Sequence, residues 1–292
     1  MQCPRGAPAP GSLRGRCKAL VPGAGGRYLC PMLATHVHGD ATAAPPLLIV
    51  HGLFGSARNW GAVARRLSDS RRVVAVDMRN HADSPWTSTH GYPELAADLA
   101  EVIEAEGGRA DVLGHSMGGK AAMALALTRP GLVDRLIVAD IAPVAYDHTQ
   151  VGLIHAMRGL DLSAIERRGD ADRALAASVE DPSTRAFLLQ SLDLRSKPHR
   201  WRLNLDTLEA EMPRIMDWPE AIDGQFGGPT LVLAGANSTY IRPEHRDRIK
   251  ALFPAARFAK IPGAGHWLHA EKPREFEAAV RAFLDLAPSP RP

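Results

Sequence analysis

The sequence predicts an α/β fold: a mainly parallel sheet with helices on both faces and a helical insertion in the second half. Three observations carry that expectation. Short apolar runs that end in turn residues alternate with helix-like stretches from Met32 onward. The runs are continuously apolar, as suits strands covered on both faces. The alternation then stops over residues 145–223, where amphipathic helical patterns replace strands.

Strands are expected at 47–51, 72–77, 110–114, 135–140, 230–234 and 257–261. The runs Leu-Leu-Ile-Val (47–50), Val-Val-Ala-Val (73–76), Leu-Ile-Val-Ala (136–139) and Leu-Val-Leu-Ala (231–234) supply their apolar character. Helices are expected between and after them, at 60–67, 92–106, 120–128, 243–252 and 273–286. In the last, Phe276, Val280, Phe283 and Leu284 fall on one stripe, and Pro273 is placed to open it. Within 145–223, Val151, Ile154 and Met157 make one helical stripe; Trp201, Leu205 and Leu208 make another. A helical insertion of this size reads as a cap over the strand C-termini, where open α/β sheets bind ligands. The expected organisation is therefore core at 32–144, cap at 145–223, core again at 224–286, and a tail at 287–292.

Composition narrows the class. The chain has 292 residues, 45% apolar and 23% charged, enough to bury a sizeable core. Its apolar runs are far shorter than the ~20 residues of a membrane span, so no membrane association is expected. Formal net charge is +3, but Arg5, Arg14, Arg16, Lys18 and Arg27 precede residue 31 with no acid among them. Removing those five charges leaves −2 for residues 31–292, which argues against a nucleic-acid partner. Cys3, Cys17 and Cys30 lie in the same segment, so the body supports neither a disulfide scaffold nor cysteine catalysis. Ten of the first 30 residues are Gly or Pro. Residues 1–31 read as a flexible extension, an arginine-rich targeting peptide, or sequence ahead of a true start at Met32. A missing apolar export segment and the cysteine-free body point to the cytoplasm.

Chemistry concentrates in Gly114-His115-Ser116-Met117-Gly118. This is a G-x-S-x-G pattern with a strand leading in and the helix-forming run Lys120-Ala-Ala-Met-Ala-Leu-Ala-Leu leading out. A serine on such a tight strand-to-helix turn is held in strained backbone geometry with its hydroxyl exposed. The residues two before and two after must be tiny, which Gly114 and Gly118 satisfy. Ser116 is the expected nucleophile.

A serine hydroxyl needs a base, and its tetrahedral adduct needs N–H donors. The donors are expected from Leu53, in the loop His51-Gly52-Leu53-Phe54-Gly55, and from Met117 at the start of the following helix. Gly52 and Gly55 would let that loop swing toward the substrate. The base is expected late in the chain, and His266 in Gly263-Ala-Gly-His-Trp267 fits, after the last strand and before the last helix. His81 and His115 read as local packing or hydrogen-bond residues. His269 lies three residues beyond His266, but no further ligands with metal-site spacing accompany the pair. No metal is expected.

With these residues the chain resembles the α/β-hydrolases, and within them the small esterases of the YbfF type. The resemblance rests on His51-Gly-Leu-Phe-Gly-Ser56, Asp77-Met-Arg-Asn-His-Ala-Asp-Ser84, Gly114-His-Ser-Met-Gly-Gly-Lys120 and Asp140-Ile-Ala-Pro143. Asn237-Ser-Thr-Tyr240 and Gly265-His266-Trp267 add to it, so it spans about residues 32–286. It implies a Ser-His-Asp hydrolase of acyl esters or thioesters that uses no cofactor. One departure is Ala82, where a glycine is usual after Asn-His.

The acid is displaced from its commonest position in such enzymes, after the strand that follows the cap. There the sequence reads Gly235-Ala-Asn-Ser238, and neither Asn237 nor Ser238 carries the charge that stabilises an imidazolium. Asp140 does. It ends the strand next to the serine's strand and keeps the order Ser116, Asp140, His266. A helix-capping or turn aspartate is the other reading of Asp140.

The expected function is hydrolysis of small acyl esters or thioesters through an acyl-enzyme. A C–C bond hydrolase and a cofactor-free perhydrolase are the catalytic rivals. A non-catalytic binding protein on the same fold is the alternative from another class. Haloalkane dehalogenation is excluded, since that chemistry needs a carboxylate at the position of Ser116.

Overall fold

In a strand, successive side chains point to opposite faces, so a run such as Leu47-Leu-Ile-Val50 feeds two cores at once. A computed structural model describes residues 33–286. In it Leu48, Val50, Val74, Val76, Leu136 and Val138 pack into one apolar cluster. Leu47, Ile49, Val73, Ala75, Ile137 and Ala139 pack into the other. The expectations for residues 1–31 and 287–292 lie outside the described residues.

In chain order the first part of the core holds β1 (Thr35–His38), β2 (Leu47–Val50), α1 (Gly61–Leu67), β3 (Val73–Val76), α2 (Tyr92–Ala105), β4 (Ala110–His115), α3 (Met117–Thr128) and β5 (Val133–Ala139). Then come α4 (Val151–Arg158), α5 (Arg168–Leu175), α6 (Pro182–Leu188), the short strands β6 (Leu192–Asp193) and β7 (Arg200–Trp201), α7 (Leu205–Ala210) and α8 (Met212–Met216). The core resumes with β8 (Thr230–Gly235), α9 (His245–Leu252), β9 (Ala256–Ile261), α10 (Leu268–Glu271) and α11 (Pro273–Leu284). The seven-stranded sheet has the order β1-β3-β2-β4-β5-β8-β9. β1 is antiparallel to β3 and every other pair is parallel. Apolar residues of α2, α3 and α4–α9 join the first cluster, and those of α1, α10 and α11 join the second. This is the mainly parallel, helix-covered sheet that the sequence predicts.

Three differences have physical reasons. β1 was not expected, because Thr-His-Val-His is short and polar; as an edge strand its residues remain partly exposed. Trp201 sits on β7, not on a helix, where its indole N–H donates to Met157 O at 2.8 Å. The helix begins only at Leu205, capped by Asn204, whose side chain accepts from Thr207 N. α3 starts at Met117, three residues earlier than expected, because its first turn closes directly on Ser116. No described helix is long and apolar enough to cross a membrane.

Candidate active site

The turn between β4 and α3 brings the backbone into two close approaches that only glycine permits. A Cβ on Gly114 would lie 2.2 Å from Gly118 O, and one on Gly118 would lie 2.4 Å from His51 O. Between them Ser116 takes φ 53° and ψ −124°, outside the regions that side chains favour. Its conformation is held from both sides: Ser116 N donates to Ala139 O at 3.0 Å, while Gly119 N and Lys120 N donate to Ser116 O. The strained backbone expected of Ser116 is present, and its side chain is partly buried.

His266 follows β9 and reaches back across the sheet. Its Nε2 lies 3.0 Å from Ser116 Oγ and its Nδ1 2.8 Å from Asp140 Oδ2. Nδ1–H therefore donates to the carboxylate, leaving Nε2 to accept the serine hydroxyl. Asp140 follows β5 with φ 53° and is fully buried. Its Oδ1 accepts from Gly235 N at 3.0 Å, and Ser238 Oγ donates to Oδ2 at 2.5 Å. The structure thus joins Ser116, His266 and Asp140 in one hydrogen-bond chain. Ser238, which stands at the commoner place for an acid, hydrogen-bonds Asp140 instead.

The imidazole is also fixed through its surroundings. Tyr240 stacks on it with ring centroids 3.9 Å apart and 17° between planes. His115 Nε2–H donates to His266 O at 2.9 Å. Burial pushes the His115 pKa well below its ordinary 6.5, and His269 and His266 lower it further, so it stays a neutral donor. His269 is stacked on Trp60 at 4.1 Å, and burial pushes it down to about 3. It packs and does not pair with His266.

Leu53 and Met117 line the same cavity as Ser116. Neither backbone N–H finds an acceptor among the described residues. Neither Gly52 nor Gly55 has positive φ, and a Cβ on Gly55 would lie 2.9 Å from Gly52 O. Gly52 is tightly packed, its Cβ position lying 3.0 Å from His115 Nδ1 and 3.1 Å from Ser116 Cβ. The positive φ, 62°, belongs to Phe54. Ala82 has φ 47°, which explains why glycine is usual there.

The cavity above Ser116 measures about 260 Å³. Leu153, Phe187, Ile215 and Met216 from the insertion line it together with Tyr240 and Trp267 from the core. One cation lines it, Lys120, missed by sequence reasoning because it opens an alanine-rich helical run. It is buried, with Nζ donating to Met216 O at 3.0 Å and Asp217 O at 2.8 Å, and burial pushes its pKa down to about 7. Among the described residues one group could offer a metal three donors, His36, Asp77 and Asp83. None of them lines the cavity, and Asp77 is already engaged by Ala57 N and Asp83 N.

Comparison with known proteins agrees with this architecture. The family model described as the alpha/beta hydrolase fold matches residues 45–273. The chain is 41% identical over 263 residues to the mouse protein named sn-1-specific diacylglycerol lipase ABHD11, covering 87% of this chain and 85% of that one. It is 38% identical to esterase YbfF of Escherichia coli, covering 82% of this chain and 93% of the relative. Among solved structures, a marine microorganism esterase superposes with a TM-score of 0.82 at 36% identity, covering 87% of this chain and all of that one. The chain belongs to the α/β-hydrolase fold family, in the group of carboxylic ester hydrolases that holds these esterases and lipases.

Proposed function

We propose that this ester hydrolase cleaves small acyl esters or thioesters with Ser116 as nucleophile, His266 as general base and acid, and Asp140 as the charge that holds His266. Attack of Ser116 Oγ on the acyl carbon passes the hydroxyl proton to His266 Nε2, and the imidazolium then faces Asp140. Leu53 N–H and Met117 N–H stabilise the oxyanion, the second at the positive end of α3. His266 returns its proton to the departing alcohol or thiol. It then activates the water that releases the acid from Ser116.

The observation that carries this reading is the hydrogen-bond chain from Ser116 Oγ through His266 to Asp140, at 3.0 and 2.8 Å, opening on a cavity. Residues 145–223 act as a cap that shapes the acyl site. The cavity, about 260 Å³, is small beside the ~300–1,000 Å³ of typical ligand pockets, which favours short acyl groups. The cysteine-free residues 31–292 fit action in the cytoplasm.

A matched panel of p-nitrophenyl esters and acyl thioesters of increasing chain length tests the substrate class. Turnover is expected to peak among short chains. A rate that climbs steadily to long chains would remove the small-acyl reading, and turnover of one leaving-group class alone would decide between ester and thioester.

A further inference from the structure

Phe54, the residue after the proposed oxyanion donor Leu53, is gripped on both of its peptide groups. Its N–H donates to His81 Nε2 at 3.1 Å, and its carbonyl accepts from Ser191 Oγ at 2.9 Å. Gly52 to Gly55 form a β-turn closed by Gly55 N donating to Gly52 O at 3.0 Å, with Phe54 at the third position. At that position a φ of 62° is ordinarily taken by glycine. A phenylalanine there is held against its own preference.

Both grips trace back to one part of the insertion. Ser191 immediately precedes β6, and Arg202 N, just after β7, donates to Ser191 O at 2.8 Å. The same strand end pairs with the loop that carries His81. Leu203 forms an antiparallel bridge with His81, Ala82 N donates to Arg202 O at 2.7 Å, and Asn204 N donates to Asn80 O at 2.9 Å. His81 is fully buried, and its Nδ1–H donates to Arg79 O at 2.9 Å, so Nε2 is the acceptor. Burial, with His51 and His90 nearby, keeps the ring neutral and able to accept. Neither His81 nor Ser191 lines the cavity.

We propose that His81 and Ser191 are positioning residues for the oxyanion hole, through which the β6–β7 hairpin of the insertion holds Phe54 and thereby aims Leu53 N–H at the oxyanion. The proposal rests on the assignment of Leu53 and Ser116 above. Loss of either grip lets Phe54 return toward negative φ, which turns the Leu53–Phe54 peptide and moves Leu53 with it.

The test compares Ser191→Ala, His81→Leu and His81→Gln with wild type. It measures kcat and KM on a short p-nitrophenyl ester and the Ki of a trifluoromethyl ketone of the same acyl length, which binds serine as an oxyanion adduct. Outright loss of an oxyanion donor costs about 10²–10³ in kcat, so a displaced donor is expected to cost roughly tenfold in Ser191→Ala and more in His81→Leu. Ki should rise by the same factor while KM stays near wild type. His81→Gln should recover part of the loss, because its Oε1 can accept from Phe54 N. Unchanged kcat and Ki in folded Ser191→Ala overturn the proposal even if the melting temperature falls, and that variant decides alone should His81→Leu not fold. Ser116→Ala in parallel separates the premises: turnover there would break the nucleophile assignment, whatever the other variants do.

Discussion

Ser238 and His266 converge on a single oxygen of Asp140, with Ser238 Oγ 2.5 Å and His266 Nδ1 2.8 Å from Oδ2. Ser238 stands on the turn after β8, where related enzymes commonly carry the acid itself, while Asp140 reaches the same space from the end of β5. Adjacent parallel strands make the exchange geometrically cheap: Ala139 and Leu233 are register partners, and Asp140 N donates to Leu233 O at 2.9 Å.

Asp140→Asn keeps the shape of this junction but removes its charge and can present an N–H where His266 needs an acceptor. As when the triad aspartate of a serine protease is replaced by asparagine, kcat is expected to fall by up to ~10⁴ with KM little changed. Ser238→Ala removes one of several hydrogen bonds to the carboxylate and should cost far less. In the Asp140→Asn background, Ser238→Asp should restore part of the activity. Steady-state kinetics on one short ester check all three, and near-wild-type turnover by Asp140→Asn would move the acid elsewhere.

Much of this was legible in the sequence because it is local. The Ser116 turn is five consecutive residues between a strand and a helix, and the two glycines are demanded by backbone contacts within that turn and with the adjacent β2 end. Asp140 could be proposed as the acid because Ser238, at the commoner position, carries no charge. What stayed hidden depends on distant residues meeting. β1 has no apolar run to mark it, and Ser191 meets Phe54 across 137 residues of sequence. Lys120 looks like an ordinary helix former until Met216 and Asp217 are seen around its amine.

The elbow glycines should be intolerant of a single methyl group. Gly118→Ala places a Cβ 2.4 Å from His51 O and 2.5 Å from Val50 O, both backbone atoms at the end of β2. Overpacking of this kind costs about 1–3 kcal/mol where side chains yield, and more is expected where backbone must move. Gly131→Ala, with nothing within 4 Å, should be close to neutral. Denaturant midpoints of the two variants give the comparison.

Removal of the Lys120 amine should loosen the segment around α8 from α3. In Lys120→Met the part-buried carbonyls of Met216 and Asp217 lose their donor, at a cost of about 1 kcal/mol for each hydrogen bond lost. Because Ile215 and Met216 line the cavity, KM should rise more than kcat falls. Thermal melting and the KM-to-kcat split measure the two effects, and an unchanged melting temperature would show that the amine does not fasten α8.

Stability should fall with acid from about pH 6.5, where, among the described residues, buried histidines outnumber the one carboxylate, Asp111, that burial pushes up to about 6. Burial lowers the pKa of His51, His81 and His115 from 6.5, and pushes His90 and His269 down to about 3. Above 6.5 these rings are neutral in both folded and unfolded chains. Below it the unfolded chain takes up protons that the folded one refuses, so unfolding becomes easier as pH drops toward the depressed values. Each histidine contributes a slope of up to about 1.4 kcal/mol per pH unit in that window. Urea midpoints between pH 7 and 5 should decline steadily, and His269→Phe should make the decline shallower.

The nucleophile assignment is reached most directly by covalent labelling. A fluorophosphonate probe, followed by intact-mass and peptide mass spectrometry, should modify wild type once, on the peptide that carries Ser116. Ser116→Ala, with an unchanged circular dichroism spectrum, should take up no probe and hydrolyse no ester above background. Labelling of Ser116→Ala to the wild-type extent, or modification of wild type at another serine, would contradict the assignment.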